Sequence, residues 1–160
     1  MKIGILSDTH GAQGVIDNVI NHKEAAGIEH WLFAGDIAID AEYLEVLSGT
    51  KVTAVAGNND YFGSGLKDIE VINLAGHKIF LTHGHMHNVQ WGHRDLIAAA
   101  KFANADIAVY GHTHVAVMEK EDILVLNPGS AARPRDNHKG SFMVANVTAN
   151  EPINVKIVRL

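Results

Sequence analysis

The chain of 160 residues has no cysteine, only three prolines and 6% aromatic residues. Without thiols there is no disulfide, no thiolate nucleophile, no iron–sulfur cluster and no Cys-type structural zinc. Any metal must therefore be held by imidazole, carboxylate, amide and water. An excess of positive charge is also missing, since 13 Lys+Arg against 18 Asp+Glu give −5 with histidine neutral. Proteins that track long nucleic acid neutralise its phosphates with a basic stripe, and no such Lys/Arg cluster occurs here. No apolar run approaches the roughly 20 residues of a membrane span, and Met1 to Asp8 reaches a carboxylate too early for a signal peptide. These absences lead us to expect a cytoplasmic protein with neither membrane nor long nucleic acid as partner. The length suits a single domain over residues 1–160, burying roughly 70% of the extended chain's surface. What is abundant is histidine, with 11 copies.

The first third alternates short apolar runs with amphipathic stretches, the pattern of βα units and a parallel sheet. Ile3 to Leu6 predicts a buried strand ending at Ser7-Asp8-Thr9-His10-Gly11. Val15, Val19 and Ile20 then recur at helical spacing in a run that continues to Gly27. Trp31 to Ala34 is a second strand broken by Gly35-Asp36, Tyr43, Leu44 and Leu47 suggest a short helix, and Val52 to Ala56 leads into Gly57-Asn58-Asn59-Asp60. From about Ile69 apolar pairs flank Ala75-Gly76-His77 as in a hairpin. A helix from Arg94 to Ala105 takes its apolar side from Leu96, Ile97, Ala100 and Phe102. Ile107 to Tyr110 runs into Gly111-His112-Thr113-His114, and strands follow near Val115–Met118, Ile123–Leu126, Phe142–Val147 and Ile153–Val158. The fold class is α/β, with two mixed sheets face to face and helices outside.

Five motifs stand at strand ends: Asp8-x-His10, Gly35-Asp36, Gly57-Asn58-Asn59-Asp60, His83-Gly84-His85 and Gly111-His112-Thr113-His114. In α/β sheets the carboxyl ends of strands open into the ligand crevice. Asp-x-His and His-x-His place their side chains on one side of an extended segment. Asp8, Asp36 and a bridging hydroxide would sum to −3, while Asn58, His10, His83, His112 and His114 are neutral donors. Seven such groups over-ligand one divalent ion. Two ions leave a pocket near +1, suited to a phosphodiester monoanion and to the two-metal arrangement for in-line displacement.

In order and spacing these motifs resemble the signature of the calcineurin-like metallophosphoesterases. The compact length and Leu126-Asn127-Pro128-Gly129-Ser130 are similar to the small bacterial and archaeal phosphodiesterase branch. The resemblance implies a double β-sandwich flanked by helices, a four-layer αββα fold. It also implies one metal on Asp8, His10, Asp36 and His114, a second on Asp36, Asn58, His83 and His112, and Asp36 between them. Manganese is the first expectation, with Ni, Fe, Co or Zn as alternatives. The implied activity is hydrolysis of small or nucleotide phosphodiesters by a metal-bridging hydroxide, with Asp36, Asn58, His83 and the residue at position 59 as catalytic positions. A phosphomonoesterase, or a scaffold like the retromer subunit of this fold, are the competing readings.

Many members carry histidine after the Gly-Asn pair, where this chain has Asn59. An amide donates a hydrogen bond but delivers no proton, so substrates with good leaving groups are expected. His85, Arg133 and Arg135 are candidate substrate contacts. His87 is expected to face solvent, and His22, His30, His77, His93 and His138 to be surface or packing residues. Tyr61 to Leu66 and His85 to His93 are expected to shape substrate choice. Trp91 suits either a base-binding wall or a subunit contact, and a homo-oligomer built on exposed aromatics or the late strands is compatible with the sequence.

Overall fold

The computed structural model describes residues 1–60 and 64–160. The first sheet has strand order β10-β9-β1-β2-β3. Here β1 is Lys2–Leu6, β2 His30–Phe33, β3 Val52–Ala54, β9 Ser141–Asn146 and β10 Asn154–Arg159. β1, β2 and β3 run parallel, while β9 and β10 add an antiparallel edge. The second sheet, order β4-β5-β6-β8-β7, comprises β4 Ile69–Leu74, β5 His77–Thr82, β6 Ile107–Val109, β7 Ala116–Lys120 and β8 Leu124–Pro128. Its centre, β5-β6-β8, is parallel, and each outer strand pairs antiparallel.

Alternation along the strands makes two apolar faces per sheet. Ile3, Ile5, Leu32, Met143 and Ala145 of the first sheet meet Ile79, Leu81, Ile107, Val109 and Leu126 of the second in a buried inner core. Each such aliphatic side chain contributes roughly 1.5–3 kcal/mol when fully removed from water. On the outer face of the first sheet, Leu6, Trp31, Phe33 and Phe142 pack against α1 (Gln13–Ile20) and α2 (Ala38–Ser48). On the second, Phe80, Ala108, Tyr110 and Val125 pack against α3 (Arg94–Phe102). The layers are therefore αββα, as expected. Gly4 lies under the Trp31 ring, and a Cβ there would overlap it.

Three details depart from the periodicity. α1 stops at Ile20, because the His22 ring accepts a hydrogen bond from the Glu24 amide at 3.2 Å and starts a separate 3-10 turn over Lys23–Ala25. Phe102 is 93% exposed, so it does not belong to the apolar face of α3, which Leu96, Ile97 and Ala100 form alone. His87 is half-buried, its ring edge-on to Phe80 at 5.7 Å, rather than facing solvent. Among the described residues no helix is long and apolar enough to cross a membrane.

His77 joins the two sheets at one end. Its Nδ1 lies 2.5 Å from Asp106 Oδ2, and its Nε2 faces the carbonyl oxygens of Glu151 at 2.9 Å and Thr148 at 3.2 Å, in the turn between β9 and β10. With acceptors on both sides the imidazolium is favoured, and the hydrogen bond to Asp106 in particular raises its pKa. A raised folded-state pKa gives stability that is full below about pH 6.5 and lost as pH rises through the folded value. His77→Gln is therefore expected to destabilise the protein more at about pH 6 than at about pH 9. Urea unfolding of both proteins at the two pH values checks this, and an equal gap at both would contradict it.

Candidate metal centre

The first sheet delivers Asp8 and His10 after β1, Asp36 after β2 and Asn58 after β3. The second delivers His83 after β5, and His112 and His114 after β6. All seven meet where the carboxyl ends of these parallel strands converge. The backbone turns sharply to aim them: φ is 55° at Asp8, 51° at His10, 111° at Asp36, 67° at His112 and 61° at His114. Among the described residues the other non-glycine positions of positive φ are four asparagines and Ala75. Left-handed backbone is disfavoured for most L-residues, and such strain clusters at functional sites. Close approach is enforced as well. A Cβ on Gly111 would collide with Ser7 Oγ and Asp8 Oδ2, and one on Gly57 with the Asp36 backbone.

The donor atoms point at one another. His10 Nδ1 lies 2.9 Å from Asp36 Oδ2, His114 Nε2 3.2 Å from Asp8 Oδ1, and His83 Nε2 4.0 Å from Asp8 Oδ1. The Asn58 amide oxygen faces His83 Nε2 at 2.9 Å and His112 Nδ1 at 3.0 Å. His10 Nε2 and His114 Nε2 approach to 3.1 Å. Despite this crowding, Asp8 Oδ1 and Asp36 Oδ2, both buried, accept no well-directed hydrogen bond. His83 Nδ1 lies 2.7 Å from the Ala34 carbonyl and His114 Nδ1 2.8 Å from that of Arg133. A carbonyl only accepts, so each Nδ1 carries the proton and each Nε2 is turned inward, the usual support of a ligating imidazole.

Electrostatics follow the same plan. Burial lowers the pKa of His10 and of His112, and the His83 ring adds to the effect at His112, which keeps both rings neutral and able to donate a lone pair. The Asp8 carboxylate, 3.2 Å from its Nε2, raises the pKa of His114. Burial pushes Asp8 up, but the close His114 ring, the nearby His83 ring and the Ser7 hydroxyl together hold its carboxyl below the ordinary value. A cation taken between Asp8 and His114 would compete with a proton on His114, so loading would release protons and strengthen as pH rises. Two orphaned buried carboxylate oxygens, an amide oxygen and inward-facing imidazole nitrogens form a hard-to-borderline O/N donor set, which fits divalent transition metals. Asp8 with His10 and His114, and Asp8 with Asp36 and His83, each gather their donor atoms within 4.8 Å.

Asn59 is not free at the cavity: its amide nitrogen donates to Asp36 Oδ1. His85 lies beside the cluster, its ring 5.5 Å from that of His83 and 6.1 Å from that of His112, with a buried Nδ1 that bonds nothing. Arg133 and Arg135 touch the site through their backbones, the Arg133 carbonyl accepting from His114 and the Arg135 amide donating to the His114 carbonyl at 3.0 Å. Of Tyr61 to Leu66, residues 61–63 lie outside the described residues.

Several supporting residues had no functional reading in the sequence. Ser7 Oγ donates to Asp8 Oδ2 at 2.6 Å, and Ser130 Oγ to the Asp8 carbonyl at 2.7 Å. Asn127 Nδ2 donates to the Gly111 carbonyl at 2.9 Å. Asp60 accepts from the amides of Gly57 and Ala38, tying the third motif to the start of α2. The Asn-Pro-Gly-Ser run and the Asp after Asn59 were visible as motif letters, but their partners lie too far along the chain for spacing to reveal.

Comparison with known proteins gives the family of the chain. Residues 1–150 match the family model of the calcineurin-like phosphoesterase superfamily domain. The phosphodiesterase MJ0936 of Methanocaldococcus jannaschii is 34% identical over 146 residues, covering 81% of this chain and 83% of that protein. A crystal structure from Streptococcus pneumoniae TIGR4, described as a predicted phosphoesterase, superposes with a TM-score of 0.82 at 26% identity, covering 99% of this chain and 88% of that one. Zinc-complexed Vps29 of Entamoeba histolytica shares the fold at a TM-score of 0.76 and 23% identity, covering 99% and 98% of the two chains. The chain thus belongs to the calcineurin-like phosphoesterase superfamily.

Proposed function

We propose that this protein is a metal-dependent phosphoric ester hydrolase, a dinuclear phosphodiesterase acting on small or nucleotide diesters. The observation that carries the reading is the pair of buried carboxylate oxygens on Asp8 and Asp36 that accept no well-directed hydrogen bond, ringed by four imidazoles and an amide oxygen. Two carboxylates against two divalent ions leave a positive pocket, which matches a diester monoanion. The name of the phosphodiesterase relative MJ0936 supports the same class. When bound, the ions would supply Lewis-acid charge at the phosphoryl group and lower the pKa of an attacking water.

The protein's own residues hold and orient. Asp36, with one oxygen toward His10 and the other receiving the Asn59 amide, would serve as a ligand to both ions. Asp8, His10 and His114 would complete one ligand set, and Asn58, His83 and His112 the other. The Asn58 amide presents its oxygen to the two imidazoles. Asn59 steadies Asp36 and supplies no proton, so the leaving group departs on its own acidity. Manganese is the first candidate ion, with nickel, iron, cobalt or zinc next. A cytoplasmic setting belongs to the same proposal.

Paired assays on bis(p-nitrophenyl) phosphate and p-nitrophenyl phosphate with added manganese, together with metal analysis, test this reading. Two ions per chain and preferential diester cleavage are expected. Preference for the monoester would make the protein a phosphatase, and two bound ions without cleavage would favour a scaffold.

Asp36→Asn is expected to leave at most one ion bound and to lower diester turnover at least about hundredfold, beyond the 10–100-fold typical of residues that merely support a ligand. Metal analysis and steady-state rates check it.

Asn59→His places a proton donor where an amide stood. General-acid help is worth about 10²–10⁴, so the ratio of rates on poor-leaving-group to p-nitrophenyl diesters is expected to rise. A flat ratio across an alkyl and aryl ester series would remove position 59 from the chemistry.

A further inference from the structure

Beside the candidate metal centre lies a cavity of about 380 Å³, at the small end of the roughly 300–1,000 Å³ usual for ligand pockets. One wall is formed by Val115 and Val117, two residues apart and so on the same face of the edge strand β7 and its approach. Val89, in the 3-10 turn before α3, also lines it. The rim is shared with the metal centre through His112 and Thr113. Gln90 and Arg135 supply its polar edge.

The floor is rigid and chemically committed. The Tyr110 hydroxyl lies 2.8 Å from His93 Nε2, and His93 Nδ1 lies 2.7 Å from Glu121 Oε1. Both ring nitrogens of His93 are thus engaged, and the groups left to meet a ligand are those at the edge. Thr113 Oγ1 lies at this edge and accepts from Asn127 Nδ2 at 3.0 Å. Gln90 offers both donors and an acceptor. The Arg135 guanidinium makes no ion pair among the described residues, so it is available to stack on a ring or to bond ring carbonyls.

We propose that this cavity takes one ester arm of the substrate and that the arm is a nucleoside, an inference that rests on the phosphodiesterase reading above. Valine walls suit the faces of a flat heterocycle, and the amide, hydroxyl and guanidinium suit its polar rim. A plain alkyl arm would leave those three polar groups unused. A second phosphate would set a strongly hydrated anion against the valines. The cavity is too small for a polymer.

The test compares kcat/KM for two esters that release the same p-nitrophenolate: the p-nitrophenyl ester of thymidine monophosphate and methyl p-nitrophenyl phosphate. With leaving group and metal load equal, the ratio reports the other arm alone. The wild-type ratio is expected to reach at least about tenfold, the scale on which apolar pocket contacts discriminate. Val117→Trp, which fills the cavity, is expected to cut the ratio at least about fivefold, and Arg135→Ala about threefold. A wild-type ratio near one, or a ratio unmoved in both variants, overturns the proposal. Circular dichroism melts identify any unfolded variant, and the exposed Arg135 keeps the test decisive if Val117→Trp fails to fold.

If neither ester is cleaved, the phosphodiesterase reading falls, and calorimetry with thymidine monophosphate decides the cavity by itself. Binding weakened by Arg135→Ala and Val117→Trp supports the nucleoside site. No binding, or binding indifferent to both, overturns it.

Discussion

Two carboxylates brought together out of water govern this structure. Asp8 and Asp36 are each 1% exposed and each keeps an oxygen without a hydrogen bond. Unpaired buried charge is among the more expensive things a fold can hold. Backbone strain adds to it, since residues held in sparsely populated regions cost on the order of 1–3 kcal/mol each, and five of the seven clustered residues sit at positive φ. The apolar sandwich beneath supports that expense. Ile3, Ile5, Leu32, Ile79, Leu81, Ile107 and Val109 are essentially dry, and they fix the strand ends so that the turns beyond them have no room to relax. Gly57 and Gly111 show the same pressure from the other side, as places where any side chain would push the carboxylates apart.

Much of this could be read from residue order alone, and the reason is physical. Parallel strands put their carboxyl ends at one edge, so motifs that terminate strands converge whatever the loops between them do. Strands and sheets followed from apolar runs and turns. Where periodicity misled, a local competitor decided. The His22 ring took an amide that α1 would have needed to continue. Phe102, two residues past Ala100 and so about 200° round α3, lies off the buried face. His87 found Phe80 across a turn that no pattern describes. Asn59 illustrates a subtler gap: its chemistry was legible as an amide in place of an acid, but its partner, Asp36, lies 23 residues away.

The eleven histidines divide by the company they keep. Four turn inward to the carboxylates, while others serve as fasteners. His30 meets Thr53 across β2 and β3 at 2.8 Å, His77 bridges the sheets, and His93 links Tyr110 to Glu121. A count of imidazoles therefore overstates the metal-binding capacity of the chain, and only three-dimensional neighbours separate ligand from fastener. His93 is the clearest case, because its partners stand 17 and 28 residues away and leave no trace in local spacing.

The distribution of donors between the sheets has a consequence for how the molecule assembles. Every carboxylate and amide of the cluster hangs from the first sheet, and apart from His10 every imidazole hangs from the second. A half-folded chain with only one layer organised would present part of the donor set, either Asp8, His10, Asp36 and Asn58 without the second layer's imidazoles or His83, His112 and His114 without a carboxylate. The full donor set therefore forms only when the layers dock. An ion held across that seam would act as a rivet, resisting sliding of one layer over the other and slowing the chain's escape from the native state.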